Sequence, residues 1–454
     1  MRKSLLLLST LALSGCYVGG LQLPDFKGPS FWSNAPSDRL YEEVNADALQ
    51  EWWQRFNDPV LTALIEKALQ DSPDRRAARA RILEARGLKR TARSSLFPEV
   101  NVSASTGREE TAQSTADDYY DARFDASYEL DIFGRNRNRF SAADRTLEKL
   151  EAQYQDVTLT LIAEVARTYI EIRANEKQTL IAGKNLETQV QTLGLIQNLR
   201  DAGENPQLDV ERAENLVNTT KASIPEFKRL SENARLRVAV LVGALPEDLA
   251  DISGRAGNIP GGDVNPVLMA PAKVLALRPD IRAASANLRA QTNLAEAATA
   301  DIFPIFTLSG FYGVAENAFV NSTNIWNVAI GTAVNLLDFG RIEGQIDAAR
   351  AREQEAYELY RKTVLEAVSE LEIALNDYAR INEQAVLLAK AYKNADEAFN
   401  LSRQLFTEGE ISFLDVLDAQ RTVNDADSAL INAEAAKASA LIRLYKSLGV
   451  GPAS

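Results

Sequence analysis

The run Ala122-Arg123-Phe124-Asp125-Ala126-Ser127-Tyr128-Glu129-Leu130-Asp131 places apolar side chains at the even positions and polar ones at the odd positions. Side chains two apart share one face of a strand, so the run predicts a β-strand with an apolar and a polar face. A partner precedes it. Val100, Val102 and Ala104 alternate with Asn101, Ser103 and Ser105, and a polar, turn-like stretch from Gly107 to Asp118 separates the two runs as in a hairpin. On the N-terminal side Asp74 to Arg93 reads as an alanine- and arginine-rich helix, which Pro98 ends because proline cannot donate to the helical ladder. On the C-terminal side Phe133-Gly134-Arg135 leads into a proline-free stretch, from about Ser141 to Leu199, with helical periodicity.

The same series recurs. Ser72-Pro73-Asp74-Arg75-Arg76-Ala77-Ala78 matches Arg278-Pro279-Asp280-Ile281-Arg282-Ala283-Ala284 at an offset of 206 residues. Leu96-Phe97-Pro98 with Ile302-Phe303-Pro304, Phe133-Gly134-Arg135 with Phe339-Gly340-Arg341, and Leu208-Asp209-Val210 with Leu414-Asp415-Val416 keep that offset of 206. The chain therefore reads as a duplication, 72–243 and 278–449, closed by Gly243 and Gly449. The remaining parts are a signal segment 1–15, an N-terminal segment 16–71, an irregular Pro- and Gly-rich linker 244–277 and a tail 450–454. Phe306, Leu308, Gly310 and Tyr312, then Trp326, Val328, Ile330, Thr332, Val334 and Leu336, form the second hairpin.

Strands of about ten residues with one apolar face suit a membrane-spanning barrel, although alternation alone favours a soluble sandwich whose apolar face meets a core. The N-terminus decides between them. Arg2 and Lys3 precede an apolar stretch, Leu5 to Leu13, that is too short to span a bilayer, and Leu13-Ser14-Gly15-Cys16 resembles a bacterial lipoprotein cleavage box. Cleavage there makes Cys16 the lipidated first residue, although an ordinary signal with a chance cysteine has the same form. Tyr17, rather than an aspartate, follows Cys16, which in proteins of that kind implies delivery to the outer membrane. Four strands cannot enclose a lumen, and an open sheet edge is not tolerated in hydrocarbon. Three copies would supply twelve strands from two hairpins per chain. Tyr119, Tyr120 and Trp326 then fall near strand ends, where an aromatic girdle would lie, and Glu99, Asp121, Asp125, Glu129 and Asp131 face an acidic lumen.

The stretches Ser141–Leu199 and Ile342–Phe406 would each extend roughly 90 Å as helix. Leu161, Val165, Tyr169 and Ile172 in one, and Val364, Val368, Leu371 and Leu375 in the other, repeat in steps of three and four, as coiled-coil seams do. In the last helix Val416, Val423, Leu430 and Leu444 share a heptad position interrupted by Lys437, and Ala419, Ala426, Ala433 and Ala440 occupy the next. Gly203 and Gly409 mark the turns between long and short helices.

Composition removes other functions. The 454 residues carry 63 acidic and 50 basic side chains, a net charge of −13 that becomes −15 once the signal is lost, so no nucleic-acid partner is expected. No histidine and a single cysteine exclude Ser-His-Asp and Cys-His nucleophile systems, Cys/His metal sites and an intrachain disulfide. No paired carboxylates fall in a pocket-forming context, so neither an enzyme nor a cofactor is expected.

Trp52-Trp53, Phe56-Asn57-Asp58-Pro59-Val60-Leu61, Arg278-Pro279-Asp280-Ile281, the two Phe-Pro and Phe-Gly-Arg junctions, and Leu414-Asp415-Val416-Leu417-Asp418-Ala419-Gln420 together resemble the outer membrane factors. These are the TolC/OprM-like exit ducts of efflux systems, and the match is to their lipoprotein-bearing, NodT-type branch. The resemblance implies an α+β membrane protein: a homotrimer with a 12-stranded outer-membrane barrel, four strands per chain, a long periplasmic α-barrel and a mixed equatorial domain. It implies a periplasmic adaptor and an inner-membrane pump, commonly of the resistance-nodulation-division type, as partners, and a cargo of drugs, toxic compounds or metal ions. A passive porin, a type I secretion duct and a secreted helical adaptor are the competing functions.

The resemblance also places Asp415 and Asp418 at the periplasmic constriction. They lie three apart on one helix face, so a trimer would gather six carboxylates there. Ser412-Phe413-Leu414-Asp415 equally fits a capping box, and Asn205-Pro206 ahead of Asp209 reads as a cap and a first-turn proline. Asp418 corresponds to Arg212, and an Arg212–Asp418 pair could join neighbouring helix pairs in a closed duct. Gly134 and Gly340, like Pro98 and Pro304, mark strand–helix junctions; a β-carbon at either glycine should conflict with its backbone conformation or its packing.

Overall fold

The fold is that of a computed structural model describing residues 29, 31–33, 42–43, 49–111, 114–249, 258–261, 264, 266–317 and 320–452. Cys16 and the signal segment lie outside the described residues. In chain order the elements are β1 (Glu42–Glu43), α1 (Pro59–Asp71), α2 (Pro73–Ser94), β2 (Glu99–Thr111), β3 (Ser114–Leu130), α3 (Arg135–Asp201) and α4 (Gln207–Val242). There follow β4 (Val267–Leu268), α5 (Pro271–Leu277), α6 (Pro279–Ala300), β5 (Ile305–Asn317), β6 (Val320–Ala333), α7 (Arg341–Thr407) and α8 (Phe413–Ser447). Every element of the second series from α6 to α8 begins 206 residues after its counterpart, and α3 and α7 are both 67 residues long. The 244–277 stretch is less irregular than its composition suggests, since it holds a 3-10 turn at Pro246–Leu249 as well as β4 and α5.

The chain divides into two compact units, and α3 and α7 contribute residues to both. The unit comprising 84–149 and 284–362 contains the four-stranded antiparallel sheet, in the order β2-β3-β5-β6. The strands have 13, 17, 13 and 14 residues, longer than the pattern of alternation indicates. The polar stretch 107–118 is mostly strand, because backbone pairing such as Gly107 with Tyr119 continues where side-chain alternation fades. The correction moves Trp326, Tyr119 and Tyr120 away from the strand ends; Trp326 sits near the middle of β6. Conversely Val334 and Leu336 fall outside β6.

Register keeps the faces separate. Val102, Phe124, Tyr312 and Trp326 stand opposite one another across all four strands and are 71, 58, 58 and 72% exposed. A soluble sandwich would bury that row. On the other face Arg123 lies 3.1 Å from Asp125 and 3.9 Å from Asp121, and Arg135 pairs with Glu129 and, at 3.1 Å, with Asp301. The acidic wall expected there is thus partly neutralised by its own arginines. Asp131 serves another purpose: its carboxylate accepts the Asn136 and Arg137 N–H groups at 3.1 and 2.8 Å, capping α3.

The other unit, with the described residues of 28–83 together with 150–283 and 363–452, holds the main core. Trp52 stacks on Tyr445 at 5.3 Å between ring centroids, with Phe56 and Trp53 edge-on to Trp52. The Phe-Asn-Asp-Pro motif is a helix start. Asn57 adopts φ 51°, Asp58 accepts the Val60 and Leu61 N–H groups at 2.9 Å, and Pro59 occupies the first turn of α1. Asp58 also accepts the Tyr169 hydroxyl, tying α1 to α3. Burial pushes that phenol upward from its ordinary value. The seam residues Leu161, Val165, Tyr169, Leu371 and Leu375 are buried as their spacing requires, and Val368 is half-buried against the same core. Among the described residues no helix is long and apolar enough to cross a membrane.

Candidate functional site

The residues that the sequence singles out fall at two places: the helix turns at Gly203 and Gly409, and the strand–helix junctions. At the end of α3 the Gly203 N–H donates to Arg200 O and the Glu204 N–H to Leu199 O, both at 2.9 Å; Gly409 and Glu410 repeat this on Phe406 and Leu405 at 3.0 and 2.9 Å. These paired bonds need a left-handed residue, and φ is +79° and +78° at the two glycines. Behind the turns, Ile196, Val210, Phe399, Phe413, Val416 and Leu417 form a buried cluster that fixes the tip.

The polar groups of the two tips differ. In α4, Arg212 bonds Asp209 at 3.3 Å within one turn. Helix α4 begins at Gln207 with Pro206 in the capping position, so Asn205 is not the cap its sequence suggests; proline already supplies the extended backbone there. In α8, Asp415 accepts the Ser412 N–H at 3.0 Å and its hydroxyl at 2.7 Å. Those donors, the hydroxyl first, hold the Asp415 carboxyl below the usual carboxylate range. Asp418 is exposed one turn further on, with its side chain outside that cap.

The junction glycines also have positive φ, +81° at Gly134 and +85° at Gly340. A β-carbon on Gly340 would meet nothing within 4 Å, so conformation rather than packing accounts for that glycine. The prolines stand beyond the helix ends: α2 stops at Ser94 and α6 at Ala300, a turn follows, and Pro98 and Pro304 immediately precede β2 and β5. Two groups escape the sequence reading. Asp338 caps α7 by accepting the Gly340 and Ile342 N–H groups at 3.1 and 3.0 Å; its signal, an acid shortly before a helix, sits one residue out of step with Asp131 in the duplication. Arg278 is buried and donates to Asp280, Glu370 and the Ser447 carbonyl at 2.7–3.1 Å, which makes the Arg-Pro-Asp motif a clamp on the end of α8.

Residues 64–244 and 270–450 match the family described as outer membrane efflux protein, one match on each copy of the duplication. The chain belongs to that family. It is 29% identical to the pyoverdine export outer membrane protein OpmQ of Pseudomonas aeruginosa over 99% of this chain and 97% of the relative. It is likewise 29% identical to the toluene efflux pump outer membrane protein TtgI of Pseudomonas putida, over 99% of this chain and 98% of the relative. Among solved structures, the outer-membrane channel OprN superposes with a TM-score of 0.87 at 33% identity, covering 94% of this chain and 98% of that one. This efflux protein therefore has the fold of the trimeric outer-membrane channels, in which three four-stranded sheets close one barrel. It is an outer-membrane exit duct extending into the periplasm and working as the outer component of an efflux pump. Its relatives are ducts, not enzymes.

Proposed function

We propose that this duct is gated at the Gly203 and Gly409 turns and receives its cargo from a periplasmic adaptor and an inner-membrane pump of the resistance-nodulation-division type. The observation carrying the reading is the unequal chemistry of the tips: Asp415 is engaged with Ser412 and Arg212 with Asp209, while Asp418 projects an exposed carboxylate from a helix whose inner face is packed. In a trimer, Asp418 supplies one carboxylate per chain around a single aperture. Arg212 reaches it from a neighbouring helix pair by sharing its guanidinium between Asp209 and Asp418, which its five donors allow. Cys16 carries the lipid and adds anchorage, and the sheet holds the trimer in the bilayer. The two copies, 72–243 and 278–449, act as alternating staves of the tube. The arginine-tempered face of β3 lines its membrane section.

Photocrosslinkers placed at Leu208 and Leu414, exposed on the first turns of α4 and α8, test the assembly in cells. An adaptor captured at these positions, together with loss of efflux when that adaptor's pump is deleted, is the expected result. Capture of an adaptor that serves a different class of transporter would overturn the assignment of the pump.

A further inference from the structure

The duplication specifies how neighbouring protomers meet. Within one chain the second strand of the first copy pairs with the first strand of the second copy: Tyr120 stands opposite Glu316, Phe124 opposite Tyr312 and Leu130 opposite Phe306. In a ring of three duplicated chains the other such junction lies between protomers, where β6 of one chain meets β2 of the next. These are the two open edges of the sheet. Carrying each residue of the internal ladder to its counterpart, 206 residues away, gives the intermolecular ladder.

We propose that β6 runs antiparallel along β2 of the neighbouring protomer with Ile330 opposite the partner's Thr106, Val334 opposite the partner's Val102 and Leu336 opposite the partner's Val100, and that Phe339 stacks on the partner's Phe97.

Three independent observations converge on this register. First, residues 128–130 of β3 pair with β5 alone, since the β2–β3 ladder ends at Glu99–Ser127. Their counterparts, 334–336, fall just beyond β6 and are the residues that β2 of the next chain would extend into strand. Second, the register joins even to even positions, so the apolar row of β6 continues into Val100, Val102 and Ala104 without changing face; a slip of one residue would put it in the lumen. Third, Phe133 stacks on Phe303 within the chain, with ring centroids 4.4 Å apart and planes 13° apart. The counterparts of that pair are Phe339 and Phe97, which are 98 and 56% exposed in the protomer. The helices agree in charge: Lys149 bonds Asn287 at 3.1 Å within the chain, and the equivalent positions hold Glu355 and Arg81, an acid and a base. Where the equivalent positions repel, as at Arg76 and Arg361, each arginine has an acid of its own, Asp71 at 2.7 Å and Glu358 at 3.6 Å.

Paired cysteines in the full-length lipoprotein test the register directly. Oxidation of trimers carrying Ile330→Cys with Thr106→Cys should give covalent dimers and trimers on a reducing-agent-free denaturing gel, at roughly ten times the yield of Ile330→Cys paired with Ala104→Cys or Arg108→Cys, because diagonal β-carbons lie about 7–8 Å apart. Preferential cross-linking of either shifted pair, or none by any pair in trimers that still migrate as trimers before heating, overturns the proposal. Phe339→Ala and Phe97→Ala provide a second readout: each should lower the temperature at which trimers dissociate, and the double variant should lose no more than the larger single loss. Additive losses would mean that the two rings do not meet.

Discussion

The two copies of the duplication share their backbone and differ in their side chains, and the division between what is kept and what is changed is itself informative. Helices α3 and α7 have the same length to the residue, their turns use glycines of nearly equal φ, and the short helices are followed by Gly243 and Gly449, both at positive φ. At both ends a β-carbon would strike the chain just ahead of the Pro-Asp helix that opens the same copy: 2.5 Å from the Asp71 carbonyl oxygen for Gly243, and 2.5 Å from Arg278 Cγ for Gly449. These two glycines are therefore held, whereas packed side chains elsewhere are not: Ser72 corresponds to Arg278 and Ala239 to Tyr445, all four buried. Charged positions have drifted: Arg212 against Asp418 at the tips, and the charged face of β3 against Asn327, Ala329 and Gly331 on β6, while the capping acid moves by one residue from Asp131 to Asp338.

The comparison can be broken by making a kept position fail or a drifted one matter. The largest effect is expected for Gly449→Val, which combines overpacking against Arg278, about 1–3 kcal/mol, with left-handed strain of about the same size. Trimer yield should collapse, and normal yield with unchanged thermal stability would show that the clamp can give way. Gly340→Val is intermediate because only strain is at stake, about 1–3 kcal/mol per chain, and Gly340→Asn should recover much of the loss, since asparagine tolerates positive φ. Equal losses for Val and Asn would mean that packing in the trimer, and not conformation, sets the requirement.

Ser412→Ala is the smallest. The carboxyl of Asp415 is held below its ordinary range in the folded chain, so the stabilisation it gives is complete above the unfolded pKa and is lost as pH falls through the folded one. The variant should therefore melt slightly earlier than the parent at neutral pH, by a margin that narrows once the carboxyl is protonated and leaves only the bond that the Ser412 hydroxyl accepts from the Asp415 N–H. A difference that does not narrow in acid would show that the Asp415 carboxylate contributes nothing to this cap.

Sequence alone was most legible where period and spacing carry the information. The helices, the two hairpins and the offset of 206 residues are local patterns repeated twice, and the structure follows them closely. It was least legible where backbone pairing outlasts side-chain alternation. Residues 107–111 and 114–118 look like turn because their side chains are polar, yet the ladder with its neighbour holds them as strand. Helix caps were half-visible. Ser412 and Asp415 sit at the spacing of a cap, whereas the alternation that points Asp131 at the lumen says nothing about the N–H groups of Asn136 and Arg137, five and six residues beyond it. The clamp at Arg278 could be recognised only as a motif, since its partners Glu370 and Ser447 are 92 and 169 residues away.

The most direct test of a duct closed by its tips is single-channel conductance of the purified trimer in planar bilayers. An exposed ion pair contributes at most about 1 kcal/mol, but three copies act on one aperture, so Asp418→Ala and Arg212→Ala should each raise conductance roughly two-fold or more. Multivalent cations added on the periplasmic side should block the parent and spare Asp418→Ala. Parent-like conductance and parent-like block in Asp418→Ala would contradict the account and make Asp418 a solvated surface charge.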